Sequence, residues 1–270
     1  MDQAYHHFSI PVTPDFESVF SHFYFAENTG DTAITKTLLP SYQTILVLIF
    51  GGKALLHSRQ DTQLDIDQCI VLGPIKQAFD YTLLPGTRML VANFKDDAFF
   101  RFFGNAASEK ETPLHPDQLL EDNCFTDLWT VLSQIDQPDQ QVIYILEFCR
   151  PYLQQQHPLS EKLAGFRDDT LNPIKAIAGA TGQSERNIQL HHKKQFGYTA
   201  KERLRYQRFM KAIQHLQRQL TNGLTADWFE LIDTCGYYDQ SQLIHDFKHY
   251  LHLSPTQYIK FQEDICISQH

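Results

Sequence analysis

Between Arg186 and Arg218 stand nine basic side chains, Arg186, Lys193, Lys194, Lys201, Arg203, Arg205, Arg208, Lys211 and Arg218, against the single acid Glu202. Cations at this density can neutralise nucleic-acid phosphates, and the attraction is local because charges beyond a Debye length of about 8 Å are largely screened. The formal net charge of the whole chain is −9, so the meaning lies in how charge is distributed. Residues 167–260 hold thirteen Lys and Arg against nine Asp and Glu, whereas residues 1–166 hold ten against twenty-one. Any solvated helix face carries charge; overlap with a repeated motif is what raises this window above that reading.

Covalent chemistry has less to work with. No Gly-rich phosphate loop, Gly-x-Ser-x-Gly elbow or zinc-spaced cysteine pair occurs. The five cysteines, Cys69, Cys124, Cys149, Cys235 and Cys266, are odd in number and widely spaced in mostly apolar surroundings, which reads as free buried thiols. In the first hundred residues His57 stands alone mid-region, with His6, His7 and His22 near the start, a poor set for a metal. No catalytic residue, metal or cofactor is therefore expected. The longest apolar run, Ile45 to Phe50, falls far short of the roughly 20 residues that cross a bilayer, and the start lacks a basic flank and apolar signal core. A cytoplasmic protein is expected.

Capping residues spell the elements that would position the cations. Gly236 suits the left-handed close of one helix, Asp239 caps the next with Gln242 three residues on, and Ser254-Pro255-Thr256-Gln257 starts another. An earlier segment, from Gly182 to Glu202, repeats the arrangement: Ser184, Ile188, Phe196 and Thr199 stand for Asp239, Leu243, Leu251 and Ser254, with fifteen residues from cap to cap in both. Between the copies, Leu204, Ala212, Ile213, Leu216 and Leu220 fall at helical spacing after the capping box Thr199-x-x-Glu202. The spacing predicts two helix-turn-helix units joined by a long helix.

With these residues the chain resembles the AraC/XylS family of transcription regulators. Gly236-Tyr237-Tyr238-Asp239-Gln240-Ser241, Phe247-Lys248 and Ser254-Pro255-x-x-Tyr258 follow the family signature, and Ser184-x-Arg186-x-Ile188, Gly197-x-Thr199-Ala200 and Arg205-x-x-Arg208-Phe209 fit it more loosely. Leu190 and His245 sit where many members have arginine, and His192 where they have a core phenylalanine. The resemblance implies base contacts from Arg186, Gln189 and Leu190 in the first unit and from Gln240, Ser241 and His245 in the second. Arg186 can pair with guanine and the glutamines with adenine, while Leu190 offers only apolar contact to a thymine methyl. Ser184, Lys193, Lys194 and Lys248 are the expected phosphate contacts. His192, four after Ile188, is expected to be a partly buried structural residue that needs a hydrogen-bond partner, with a phosphate contact as the alternative.

The remainder gives an α+β multidomain expectation. Residues 1–105 read as an antiparallel β-barrel or sandwich, cupin-like by the resemblance, with Thr44 to Phe50 a strand that Lys53 to Ser58 can pair with, and Asp80 to Phe94 two strands around Pro85-Gly86. Residues 106–165 read as a helical connector and the expected dimer contact, with Pro116 to Leu132 one helix whose Leu119, Leu120, Leu128, Trp129 and Leu132 face inward, and Pro138 to Leu153 another. Pro158 to Asp169 is the boundary candidate, and residues 166–262 form the all-α DNA-binding part. The function implied is sequence-specific reading of double-stranded promoter DNA, with RNA polymerase as partner and a small-molecule effector or homodimer contact in the N-terminal module setting activity. A metal-dependent cupin-type enzyme and an interaction module that has lost DNA binding are the rival readings.

Overall fold

Ile45–Phe50 is a strand in which all six residues are apolar and buried, and the fold is built around it. The computed structural model describes residues 4–57, 63–104, 113–120, 122–167, 171–223 and 226–260, and the backbone of 265–266. Its strands are β1 (Tyr5–Ile10), β2 (Phe20–Asn28), β3 (Ile34–Leu38), β4 (Ile45–Phe50), β5 (Ala54–His57), β6 (Gln63–Ile66), β7 (Cys69–Leu72), β8 (Phe79–Leu83), β9 (Arg88–Phe94) and β10 (Ile265–Cys266). They form two five-stranded sheets, β1-β2-β9-β4-β7 and β10-β3-β8-β5-β6, antiparallel except where β10 joins β3. Among the described residues the strands thus make a double-sheet sandwich. Alternate residues of β4 serve opposite faces: Ile45, Val47 and Ile49 enter the core between the sheets, and Leu46, Leu48 and Phe50 the core beneath the helices. That is why this strand shows no polar alternation.

The sequence expectation that β5 pairs with β4 is corrected. β4 lies between β9 and β7, while β5 pairs with β6 and β8 in the other sheet. Gly51, at φ +74°, carries the chain across, and a Cβ there would stand 2.7 Å from the Gly86 carbonyl oxygen of the opposite corner. The Pro85-Gly86 turn likewise joins strands of different sheets, because a glycine at φ +75° turns the chain over instead of folding it back.

The helices are α1 (Ala98–Phe103), α2 (Asp117–Leu120), α3 (Cys124–Leu132), α4 (Pro138–Cys149), α5 (Pro158–Gly165), α6 (Pro173–Thr181), α7 (Glu185–Phe196), α8 (Ala200–Thr221), α9 (Trp228–Cys235), α10 (Gln240–Leu251) and α11 (Pro255–Lys260). The helix expected from Pro116 to Leu132 is two, because the Asp117 carboxylate accepts the N–H groups of Phe125 and Thr126 and so caps a new start at α3. Leu120, expected inward, is exposed, while Leu128 and Leu132 are buried and Trp129 Nε1 donates to the Ile49 carbonyl at 2.7 Å. The helix expected from Pro138 to Leu153 ends at Cys149 and continues as a 3-10 turn through Pro151. Of the stretch expected to mark a boundary, Pro158–Gly165 is helical and sends Leu159, Leu163 and Ala164 into the same core as Ile188, Phe209 and Phe247; Asp168 and Asp169 lie outside the described residues.

Candidate nucleic-acid interface

The two reading units are set by the same hydrogen bonds. Ser184 Oγ accepts the Asn187 N–H at 3.2 Å at the start of α7, and Asp239 Oδ1 accepts the Gln242 N–H at 2.8 Å at the start of α10. Reciprocal capping boxes start the helices that follow, Thr199 with Glu202 and Ser254 with Gln257. Gly182, Gly197 and Gly236 close α6, α7 and α9 in the left-handed region. His252 takes that conformation at φ +63° where the first unit has glycine. Ile188 and Leu243, at equivalent positions, are fully buried, and α8 runs 22 residues between the units.

The side chains expected to meet bases, Arg186, Gln189, Leu190, Gln240, Ser241 and His245, are all exposed on the outer faces of α7 and α10. Leu190 leaves 59% of its surface to solvent, uncommon for a leucine in a helix that also has a buried face. Ser184, Lys193, Lys194 and Lys248 are exposed as well. Lys194 is engaged elsewhere, its ammonium 5.7 Å from the centroid of Phe100 in α1, so the first unit touches the β-module side of the molecule. His191 on the same helix meets Ser160 Oγ at 2.9 Å from α5.

Sequence reasoning missed the ion-pair network that ties α10 to α8. Asp246 is 1% exposed and its carboxylate accepts from Arg205 Nε at 2.7 Å and Arg208 Nη2 at 3.0 Å. The Arg208 guanidinium also lies 4.5 Å from the Tyr237 ring centroid. The Arg205-x-x-Arg208 spacing marks one helix face, but an aspartate on a polar helix gives no sign that it points inward.

His192 is buried, and its Nδ1–H donates to the Tyr198 carbonyl at 2.7 Å. Burial holds its imidazole down to about 4. A histidine in the unfolded chain titrates near 6.5, so between the two values the unfolded state binds the additional proton. The stability contributed by the neutral ring is complete above about pH 6.5 and is lost as pH falls toward 4. Urea titrations should therefore show the wild type losing about 2 kcal/mol more than His192→Phe between pH 7 and pH 5. Equal losses would mean that the ring protonates without unfolding this region.

Two segments of the β module grip the reader. The Pro40 carbonyl accepts the Tyr206 hydroxyl at 2.7 Å, and the Tyr42 ring packs 4.6 Å from Tyr206 and 5.1 Å from Tyr198, centroid to centroid. Lys76 pairs with Glu202 at 2.9 Å, Gln77 Nε2 donates to the His249 carbonyl at 3.1 Å, and the Ala78 N–H donates to the Tyr250 carbonyl at 2.8 Å. The Ile75 carbonyl accepts the N–H groups of Ser41 and Tyr42, stitching the segments together. Leu39, Ser41 and Phe79 also line an apolar cavity between the sheets, whose polar wall includes His22 and Asn93. Tyr24 and Tyr81, further lining residues, both meet the Tyr5 hydroxyl, at 2.9 and 2.8 Å.

One cluster has the layout of a thiol triad. His115 Nε2 lies 3.3 Å from Cys69 Sγ, and its Nδ1 lies 3.5 Å from Asp117. Burial, reinforced by Asp117, pushes the Cys69 thiol up to about 12, and the side chain is 1% exposed, which suits a structural thiol and not a nucleophile. Among the described residues, no three His, Cys, Asp or Glu side chains gather as a metal site.

A family model described as a helix-turn-helix domain matches residues 177–260. No curated protein gives a significant match to the chain. Among solved structures, the chain is similar to ToxT from Vibrio cholerae at 14% identity and a TM-score of 0.41, covering 96% of this chain and 98% of that one. It is also similar to an RmlC-like cupin protein from Desulfovibrio desulfuricans at 14% identity and a TM-score of 0.27, covering 35% of this chain and 85% of that one.

Proposed function

We propose that this chain, whose residues 177–260 form an AraC-type helix-turn-helix domain, regulates transcription in the cytoplasm by reading promoter DNA with α7 and α10 in successive major grooves. The observation that carries the reading is the outward set Arg186, Gln189, Leu190, Gln240, Ser241 and His245 on two equivalently capped helices. The connecting α8, at 22 residues, is about 33 Å long at 1.5 Å per residue, close to the roughly 34 Å of one duplex turn. RNA polymerase is the partner such a reader would recruit or block. Among the described residues no helix is long and apolar enough to cross a membrane.

The cavity between the sheets is the proposed effector site. Val47, Met89 and Leu72 give it apolar walls and His22 and Asn93 a polar end, which suits a small molecule with an apolar body and one hydrogen-bonding group. Leu39, Ser41 and Phe79 would pass its presence to the segments that hold the reader. A homodimer contact through the helical connector is part of the same proposal.

Selection of bound fragments from a random DNA pool at several salt concentrations tests the reading. A sequence preference combined with a steep salt slope is expected. Arg186→Ala should relax one base position by about 1–3 kcal/mol, whereas Lys193→Ala should weaken all sequences alike and reduce the salt slope by about one. Binding without sequence preference would favour the interaction-module alternative.

A further inference from the structure

Arg205 belongs to α8, not to a recognition helix, yet its guanidinium ends beside a side chain on the reading face. Three contacts fix it there. Nε donates to Asp246 Oδ1 at 2.7 Å, the guanidinium carbon lies 5.5 Å from the Tyr250 ring centroid, and Nη2 donates to His245 Nδ1 at 2.9 Å. A guanidinium has hydrogens to give and no lone pair to offer, so Nδ1 of His245 must be the acceptor and the ring hydrogen must sit on Nε2. The second ring nitrogen of an imidazole takes its role from the partner of the first.

We infer that Arg205 is a positioning residue for base readout: it holds His245 as the neutral tautomer whose Nε2–H faces away from Arg205 as a single donor. This rests on α10 meeting the major groove. A lone donor is satisfied by guanine O6 or N7, adenine N7 or thymine O4, and is poorly matched to cytosine, whose groove edge offers an amino donor. The base position under His245 is therefore read as anything but cytosine. Its specificity is of a kind different from the forked guanine contact an arginine in this place would make. The His245 ring lies 6.5 Å from that of His249, nearly parallel at 11°, and Gln77 Nε2 donates to the His249 carbonyl, so the neighbouring histidine is itself tied to the β module.

The test has two arms on the full chain. Nitrogen-15 NMR of the protein alone should show His245 with its hydrogen on Nε2 in the wild type and a tautomer mixture in Arg205→Lys, which keeps a cation for Asp246 but lacks the second fork. With the DNA stretches met by α7 and α10 called the first and second half-sites, fragment selection should show cytosine disfavoured about fivefold to tenfold at one position of the second. That bias should vanish in Arg205→Lys and His245→Ala, with the first half-site unchanged in both. A hydrogen on Nδ1, or an unaltered base bias in Arg205→Lys, overturns the inference while leaving DNA reading intact. Loss of preference over both half-sites in the wild type overturns the proposed function and this inference with it.

Discussion

Replacing Asp246 with alanine is expected to lower the stability of the DNA-reading part by about 3 kcal/mol, the lower end of the range for removing one partner of a buried ion pair. The carboxylate is 1% exposed and each oxygen has its own arginine, so truncation strands two cations whose hydrogen bonds cannot be replaced from within the core. Arg205 and Arg208 keep 31% and 24% of their side-chain surface in solvent, and the hydration they recover keeps the loss from rising higher. Because both arginines lie on α8 and Asp246 on α10, the damage should fall on the second unit. Urea unfolding should report the loss, and footprinting should show protection of the second half-site weakening while the first persists. A change below about 0.5 kcal/mol, the level of an ordinary surface substitution, would mean the network adds nothing beyond its own desolvation.

Tyr42→Ala should produce a comparable loss, about 3 kcal/mol from removing a large buried ring, but at the junction between the modules. Its ring touches Tyr206 of the linking helix and Tyr198 at the end of the first unit, and lies 6.4 Å from Tyr250 in α10. Tyr42 also holds a left-handed φ of +57°, so alanine inherits the backbone cost without the packing that offsets it. Calorimetry should show the wild type unfolding in one transition and the variant in two, as the β module and the reader lose their shared core. A single transition moved to lower temperature would place the coupling elsewhere, in the Lys76–Glu202 pair or the Ala78–Tyr250 backbone bond.

Signals within four residues were legible in the sequence. Ser184, Thr199, Asp239 and Ser254 each accept or return the hydrogen bond their capping patterns imply. β4 was legible as a strand because six consecutive apolar residues leave few alternatives. Its partners were not, since glycine corners permit either a hairpin or a crossing to the second sheet, and only packing against residues far along the chain decides between them. The same holds for the interface. Exposure at Arg186 and Gln240 follows from their place after a cap, whereas Asp246 reaches Arg205 across 41 residues and Tyr206 reaches Pro40 across 166. His192 lay between these cases: its inward position followed from helical spacing, but its acceptor, the Tyr198 carbonyl, comes from a turn whose path the spacing does not give.

The segments around Leu39 to Tyr42 and Ile75 to Phe79 are one wall with two sides, cavity on the inner surface and tyrosines of the reader on the outer. Neither half of the molecule can therefore be exchanged as an independent part. A chimaera that joins a foreign β module to helices α6–α11 would need to carry Pro40, Tyr42 and Ala78 across with it, or the two parts would lose the contacts that make them fold as one unit.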